Sequence, residues 1–237
     1  MASDAAPGGS LAVIDRNVGF LVGLKAEAAL LRQFFPDAPI AISGATPEGA
    51  RRGVDRLVAS GASGLVSFGL AAGLDPALAP GSIIIPDAIA VDGRVVPCDP
   101  RLRRALGAKD GVTVGGALLH SDTVVLKAED KQRLGLESGC CALDMESGFV
   151  AQRAREARLP FAALRAVCDS ASRTLPPATA FALSPEGGVK IGMLLQSLAQ
   201  NPAQIGGLIA IGLDAGRARK AMAHFLKINR PSVRFSR

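Results

Sequence analysis

Apolar and polar residues recur along this chain at two different periods, and each change of period marks an element. Apolar runs at Val18–Leu24, Ile40–Ile42, Leu65–Phe68, Ile83–Val91, Val112–His120 and Phe161–Val167 predict strands, and the last, which has no alternation, predicts one covered on both faces. Helical periodicity separates them at Lys25–Phe35, from Pro47 to about Ala59, and at Lys127–Leu134, Met145–Arg158, Gly187–Gln200 and Gly216–Ile228. In Met145–Arg158 the residues Phe149, Val150, Ala154 and Ala157 share one face, and Gln152, Arg153, Arg155, Glu156 and Arg158 lie mostly outside it. Thr46 followed by Pro47 reads as an N-cap with proline at the first helical position. Gly61 and Pro160 read as stops. A further apolar run, Leu11–Ile14, is parted from the first core strand by Asp15-Arg16-Asn17 and fits a hairpin or an interrupted strand. Strands alternating with helices predict an α/β sheet with helices on both faces.

The 237 residues are 49% hydrophobic and 20% charged, the composition of a globular chain able to bury a core. No apolar run is long and uncharged enough to span a bilayer, and the small and acidic residues of Met1–Ser10 give no signal-peptide core. Cys98, Cys140, Cys141 and Cys168 lack metal-ligand spacing and read as reduced cytosolic thiols. The net charge of +6 is unevenly placed: after Asp214 come seven basic residues and no acidic one, more than the whole excess. The tail is basic and the body is not. The expected organisation is a disordered lead-in (1–10), one α/β domain (11–200) and a C-terminal helix with a basic tail (201–237).

The chain is organised around Ala142–Ala171. A helix and a strand there separate two acidic positions, and Asp169 falls just beyond the strand's carboxyl end, where open α/β sheets bind ligands. Asp144-Met145-Glu146-Ser147, followed after that helix and strand by Arg165-Ala166-Val167-Cys168-Asp169, resembles the nucleoside phosphorylases, a family that includes the methylthioadenosine/S-adenosylhomocysteine nucleosidases. The details look most like the hopanoid-associated phosphorylase branch, thought to remove adenine from an adenosyl lipid. The resemblance covers roughly Leu11–Gln200. It implies a three-layer sandwich with a mixed central sheet, cleavage of an N-glycosidic bond, no cofactor beyond phosphate as co-substrate, and a homo-oligomer.

Such cleavage passes through an oxocarbenium-like sugar. It needs a proton for the departing base, polar groups on the ribose and a nucleophile at C1′. By its match to the motif, Asp169 is the candidate general acid for a purine N7, and an Asp there favours adenine. A helix N-cap is the alternative. Glu146 offers two carboxylate oxygens to the 2′- and 3′-hydroxyls, and Met145 packs on the sugar or in the core. Glu27, in Gly23-Leu24-Lys25-Ala26-Glu27, resembles the glutamate that activates water in the nucleosidases, although the match needs a one-residue gap; otherwise it is a surface helix residue.

The Ser43-Gly44-Ala45-Thr46 turn opens a helix whose N–H groups suit an anion. With Arg51 and Arg52 one turn later it makes a candidate phosphate site, unless those arginines form a solvated face. Gly44 and Gly49 are not a P-loop, because no Lys-Ser/Thr follows. Gly69-Leu70-Ala71-Ala72-Gly73 resembles the family's glycine-rich turn, and Gly69 lets backbone approach a ligand. Leu70 and Ala72 depart from the pattern, and no Arg precedes Gly69. Val124 stands where the family places an aromatic beside the base.

Arg217, Lys220, His224 and Lys227 recur at spacings of 3, 4 and 3, a basic helical stripe suited to an anionic membrane surface or simply to solvent. The expectation is phosphorolysis of an adenosylhopane-type lipid by a cytoplasmic enzyme, peripheral to the inner face of the membrane, without nucleic-acid partners. A hydrolytic nucleosidase using Glu27, and a non-catalytic nucleoside- or lipid-binding protein, are the alternatives.

Overall fold

The structure is a computed structural model, and it describes residues 17–181, 186–188, 201 and 204–229. The expected lead-in, the run Leu11–Ile14, most of the helix expected at Gly187–Gln200 and the tail after Asn229 lie outside the described residues.

A mixed nine-stranded sheet forms the middle layer, as expected. Strands β1 (Val18–Val22), β2 (Ile40–Ile42), β3 (Gly64–Gly73) and β9 (Phe161–Asp169) run parallel in the order β2-β1-β3-β9. The far end of β3 also pairs with β8 (Ala142–Asp144), antiparallel. From there β7 (Ala117–His120), β5 (Ala88–Val91) and β6 (Arg94–Pro97) extend the sheet. The short β4 (Ile83–Ile84) pairs with β9.

Strand β9 shows why the centre reads as an unbroken apolar run. Ala162, Leu164 and Ala166 point to one side, with Val18, Phe20, Val66 and Phe68. Helices α1 (Lys25–Arg32), α3 (Pro100–Leu106) and α6 (Ile205–Asn229) cover that side. Phe161, Ala163 and Val167 point to the other, under α2 (Pro47–Ala59) and α5 (Ser147–Ala157). With both faces buried, period-two alternation disappears. Helix α4 (Ala128–Ser138) lies near the ligand end, beyond the cover of either face.

The structure moves several expected boundaries. The glycine-rich segment at 69–73 is not a turn but the continuation of β3, hydrogen-bonded along β9. The run Ile83–Val91 is cut by Pro86-Asp87 into β4 and β5, and Asp92-Gly93, both at positive φ (50° and 69°), turn β5 into β6. That pair is a strong hairpin signal. Asp99-Pro100 starts α3, with Asp99 Oδ1 accepting from the N–H groups of Arg101 and Leu102. Helix α6 begins eleven residues before the expected Gly216, and its Ala218, Met222, Phe225 and Leu226 join the apolar cluster under β1, β3 and β9. The start of α2 is as read: the Thr46 side chain accepts from the Gly49 N–H, and Pro47 opens the helix.

Candidate active site

The carboxyl ends of β1, β2, β3 and β9 meet at a cavity of about 190 Å³. Its wall is mainly apolar: Leu70, Ala71, Val124, Val125, Leu143 and Leu175. Into it project four carboxyl side chains, Glu27, Asp144, Glu146 and Asp169, each under a tenth exposed.

Asp169 reaches the cavity through an irregularity in the sheet. Ala71 pairs with Val167 but Ala72 pairs with Asp169, so Cys168 is an extra residue in β9. Such a bulge re-aims the side chains beside it, and both Cys168 and Asp169 line the cavity. The two oxygens of Asp169 have different partners. Oδ2 lies 2.6 Å from Lys131 Nζ, whose side chain is wholly buried. Oδ1 accepts from Cys168 Sγ at 3.2 Å. Burial, then the neighbouring Asp169 charge, pushes the Cys168 thiol well up, so it stays a donor. Lys131 also donates to the Ser170 carbonyl at 2.9 Å, closing the corner after β9.

On the opposite wall, three carboxyl groups surround one cation. Arg165 is 1% exposed. Its guanidinium pairs with Asp144, lies 3.2 Å from Glu146 Oε2 and donates to the hydroxyls of Ser67 and Ser147. Asp144 in turn accepts from the Ser147 N–H, fixing the start of α5. Glu146, the residue just before that helix, is thereby held facing the cavity. Ser43 donates to Glu146 Oε1 at 3.4 Å from the other side.

Glu27 is 3% exposed, not a surface helix residue. Its Oε2 accepts from the N–H groups of Gly23 and Leu24 at 2.8 and 2.9 Å, and its Oε1 from the Leu70 N–H at 3.0 Å. Three of about four lone-pair directions are used, leaving one for a further donor. Burial pushes its carboxyl up, against the pull of Arg165 and these N–H groups. Burial also raises Glu146, to about 7, with Arg165 opposing and Asp144 and Glu27 adding to the rise. Both carboxyls hold their protons more tightly than a solvated glutamate does.

Two glycines make room for this cluster. A Cβ on Gly69 would lie 2.6 Å from Arg165 Nη1 and 2.8 Å from Glu27 Oε1. One on Gly23 would lie 3.0 Å from Glu146 Oε1 and 3.2 Å from Glu27 Oε2. Gly69 therefore makes room for buried charge rather than for a turn.

Of the residues singled out in the sequence, Glu27, Val124, Met145, Glu146 and Asp169 line the cavity, and Gly69 and Ser43 stand directly behind it. Arg51 does not. It is exposed on α2, with its guanidinium 4.7 Å over the Phe149 ring, beside Asp55, Gln152 and Arg153. Within the Ser43–Thr46 turn and the helix it opens, the Ala45 N–H bonds Ser43 Oγ and the Gly49 N–H bonds Thr46 Oγ1. Among the described residues, no Lys, Arg or His lines the cavity. Reading the sequence assigned no role to Lys131 or to Arg165. An arginine inside an apolar strand run was a usable signal for the second; nothing local marks the first.

Several solved structures share this fold. A 5′-methylthioadenosine/S-adenosylhomocysteine nucleosidase of Helicobacter pylori aligns with a TM-score of 0.67 at 14% identity, over 90% of this chain and 97% of that one. The corresponding nucleosidase of Neisseria meningitidis, in complex with methylthio-immucillin-A, aligns with a TM-score of 0.62 at 19% identity, over 90% and 99%. A futalosine hydrolase of Helicobacter pylori aligns with a TM-score of 0.66 at 15% identity, over 90% and 96%. None of the curated proteins compared matches the chain. The family model of the phosphorylase superfamily matches residues 26–184, well over half of the sequence and every residue of the carboxylate cluster, and the chain belongs to that superfamily.

Proposed function

We propose that this protein cleaves the N-glycosidic bond of an adenosine-type nucleoside and that water, rather than phosphate, attacks C1′. One observation carries the choice of nucleophile. The cavity presents carboxyl groups and, among the described residues, no cation to hold a phosphate. The phosphate ligands expected from the sequence, Ser43 and Arg51, are engaged by Glu146 and by Phe149. The similar structures named above are a nucleosidase in two organisms and a hydrolase, which supports the same reading.

The roles follow from placement. Glu146 accepts from the ribose 2′- and 3′-hydroxyls, with Arg165 behind it as its counter-charge. Met145 and the apolar wall receive the sugar and base. As the C1′–N9 bond breaks, its electron pair passes to the base and Asp169 gives a proton to N7. Water adds to C1′ and yields one proton to the free lone pair of Glu27. The products are the neutral base and the free sugar. Asp169 and Lys131 rest as an ion pair 2.6 Å apart; solvent protonates Asp169 before each turnover and takes up the proton left on Glu27, so the cycle closes while Lys131 holds the carboxyl in place.

The apolar lining also supports an apolar 5′ substituent. The adenosylhopane-type lipid expected from the sequence is one substrate of that class, and methylthioadenosine is a soluble one. The test is adenine release from methylthioadenosine and adenosine, followed chromatographically with and without phosphate. Equal release in both buffers is expected, and Asp169→Asn or Glu27→Gln should each lower turnover by about 10²–10⁴-fold, the usual scale for general acid–base groups. Release that requires phosphate and yields a sugar 1-phosphate would overturn the hydrolytic reading.

A further inference from the structure

We propose that the exposed face of α6 docks on an anionic lipid bilayer, seating its first turns among the acyl chains and its later turns on the headgroups. At about 100° per residue, Ile205, Ile209, Leu213, Arg217, Lys220, His224 and Lys227 fall within one third of the helix circumference. Except for the zwitterion-like pairing of Arg217 with Asp214, the line is apolar at its start and cationic at its end.

The exposure is large where it matters. Ile205, Ile209 and Leu213 are 46%, 59% and 59% exposed, and Arg217, Lys220, His224 and Lys227 are all exposed. Of the eight large hydrophobic residues well exposed among those described, four are on α6. The opposite side of the same helix carries Ala218, Met222, Phe225 and Leu226, which are buried against the sheet. The outward line is therefore not a core face left uncovered by chance of rotation. The one acidic residue of α6, Asp214, is 2% exposed and neutralised by Arg173 and Arg217. No acidic side chain of α6 faces outward to oppose an anionic surface.

The exposed Ile205, Ile209 and Leu213 suit the apolar layer of a bilayer, and the lysines of the later turns suit its anionic headgroups. No helix among the described residues is long and apolar enough to cross a membrane, so the contact is peripheral. A second copy of the chain fits the face poorly. Two-fold pairing with parallel helices sets Lys220 and Lys227 against their own copies, and antiparallel pairing buries them against Ile205 and Ile209. A nucleic acid would find a poor stacking platform, because Phe225, the one Phe, Tyr or Trp of α6, is buried.

Position relates the docking to the cavity. The first turn of α6 touches the cavity rim: the Ala178 N–H donates to Gln204 Oε1 at 3.2 Å, and a Cβ on Gly207 would meet Pro176 Cγ at 2.8 Å. Leu175, next to Pro176, lines the cavity. Gly207 faces that rim while Ile205 and Ile209 face away from it, so docking would set the rim one helix diameter, about 10–12 Å, from the bilayer surface. Docking itself goes beyond the catalytic reading and does not depend on it.

The test is co-sedimentation of the full chain with phosphatidylcholine vesicles, with and without phosphatidylglycerol. Binding to the anionic vesicles, weakened by salt, is expected. Lys220→Gln with Lys227→Gln should lower the partition coefficient by about thirtyfold, the scale for two basic contacts, and Ile209→Glu with Leu213→Glu should abolish binding. Because all four residues are exposed, both double variants should keep the far-ultraviolet circular dichroism of the parent chain. Adenine release from a soluble nucleoside, measured in parallel, reports separately on the catalytic reading. Absence of wild-type binding at low salt would overturn the proposal. So would unchanged binding of the Ile209→Glu/Leu213→Glu variant, or a change in that variant's oligomeric state by light scattering, which would make the face a subunit contact.

Discussion

Replacing Lys131 by Met removes one ammonium and little volume, and its cost can be worked from two distances. The Nζ atom lies 2.6 Å from Asp169 Oδ2 and 2.9 Å from the Ser170 carbonyl, and the two side chains of the ion pair are 0% and 6% exposed. Breaking a buried pair by removing one partner costs about 3–5 kcal/mol, because the remaining charge is left uncompensated. Asp169 borders the cavity and water can reach it there, so the low end, about 3 kcal/mol, is expected. For a domain of this size that corresponds to a fall in Tm of about 6–12 °C. Urea unfolding of Lys131→Met, Asp169→Asn and the double variant measures the coupling directly. The double variant should be more stable than the sum of the single costs implies, by about 2 kcal/mol. Kinetically, Lys131→Met should lower kcat by about a hundredfold with KM little changed, since the lysine does not touch the ribose. Lys131→Arg, which keeps the charge, should recover part of that loss. Additive single effects on stability, together with unaltered turnover in Lys131→Met, would refute the pairing and its role.

Four further outcomes follow from the same geometry. Burial holds the Glu146 carboxyl up at about 7 and raises Glu27 in the same direction, so kcat/KM should fall as pH drops below about 7, and Glu146→Gln should move that acidic limb. The tighter protons also favour the folded chain at low pH: their contribution is full below the ordinary carboxylate range and is lost as pH rises through about 7, measurable as a pH-dependent unfolding midpoint once other groups are held in common by comparison with Glu146→Gln. Gly69→Ala forces a methyl against Arg165 and Glu27 and should cost about 1–3 kcal/mol by overpacking, with loss of adenine release; parental activity in that variant would contradict the placement of the cluster. Arg51→Ala should leave turnover within about twofold in either buffer, since only an exposed cation–π contact of about 0.5–1 kcal/mol is lost; a phosphate-dependent loss would return Arg51 to the site.

Much of the fold was legible where local chemistry decides it. Thr46-Pro47 marked the start of α2, and the unalternating run Phe161–Val167 marked a strand that proves to be covered on both sides. Asp92-Gly93 and Asp99-Pro100 carried hairpin and cap signals of the same kind, and β6 and α3 were missed although those signals were present. The segment at 69–73 read as a turn for a different reason. Its Gly69 answers to Arg165 and Glu27, which approach from β9 and α1, and no local rule encodes that crowding. The limits of the site reading are tertiary in the same way. Lys131 sits in Ala128-Glu129-Asp130-Lys131-Gln132-Arg133, a polar stretch in which it looks like any solvated residue. Only the packing of α4 against the bulged end of β9 distinguishes it from Arg133, whose partners Asp130 and Glu137 are on its own helix. Arg51 shows the converse: proximity in sequence to an anion-suited turn placed it near the cavity on paper, while the helix turns it onto Phe149.

The central claim is that water attacks the sugar in a cavity whose described lining offers carboxyl groups and no cation. The most direct measurement is cleavage of methylthioadenosine in ¹⁸O-enriched water containing phosphate, with mass analysis of the sugar product. Incorporation of one ¹⁸O at C1′, in a sugar free of phosphate, is the expected result. A sugar 1-phosphate carrying no label from water would contradict the account and restore phosphate as the nucleophile.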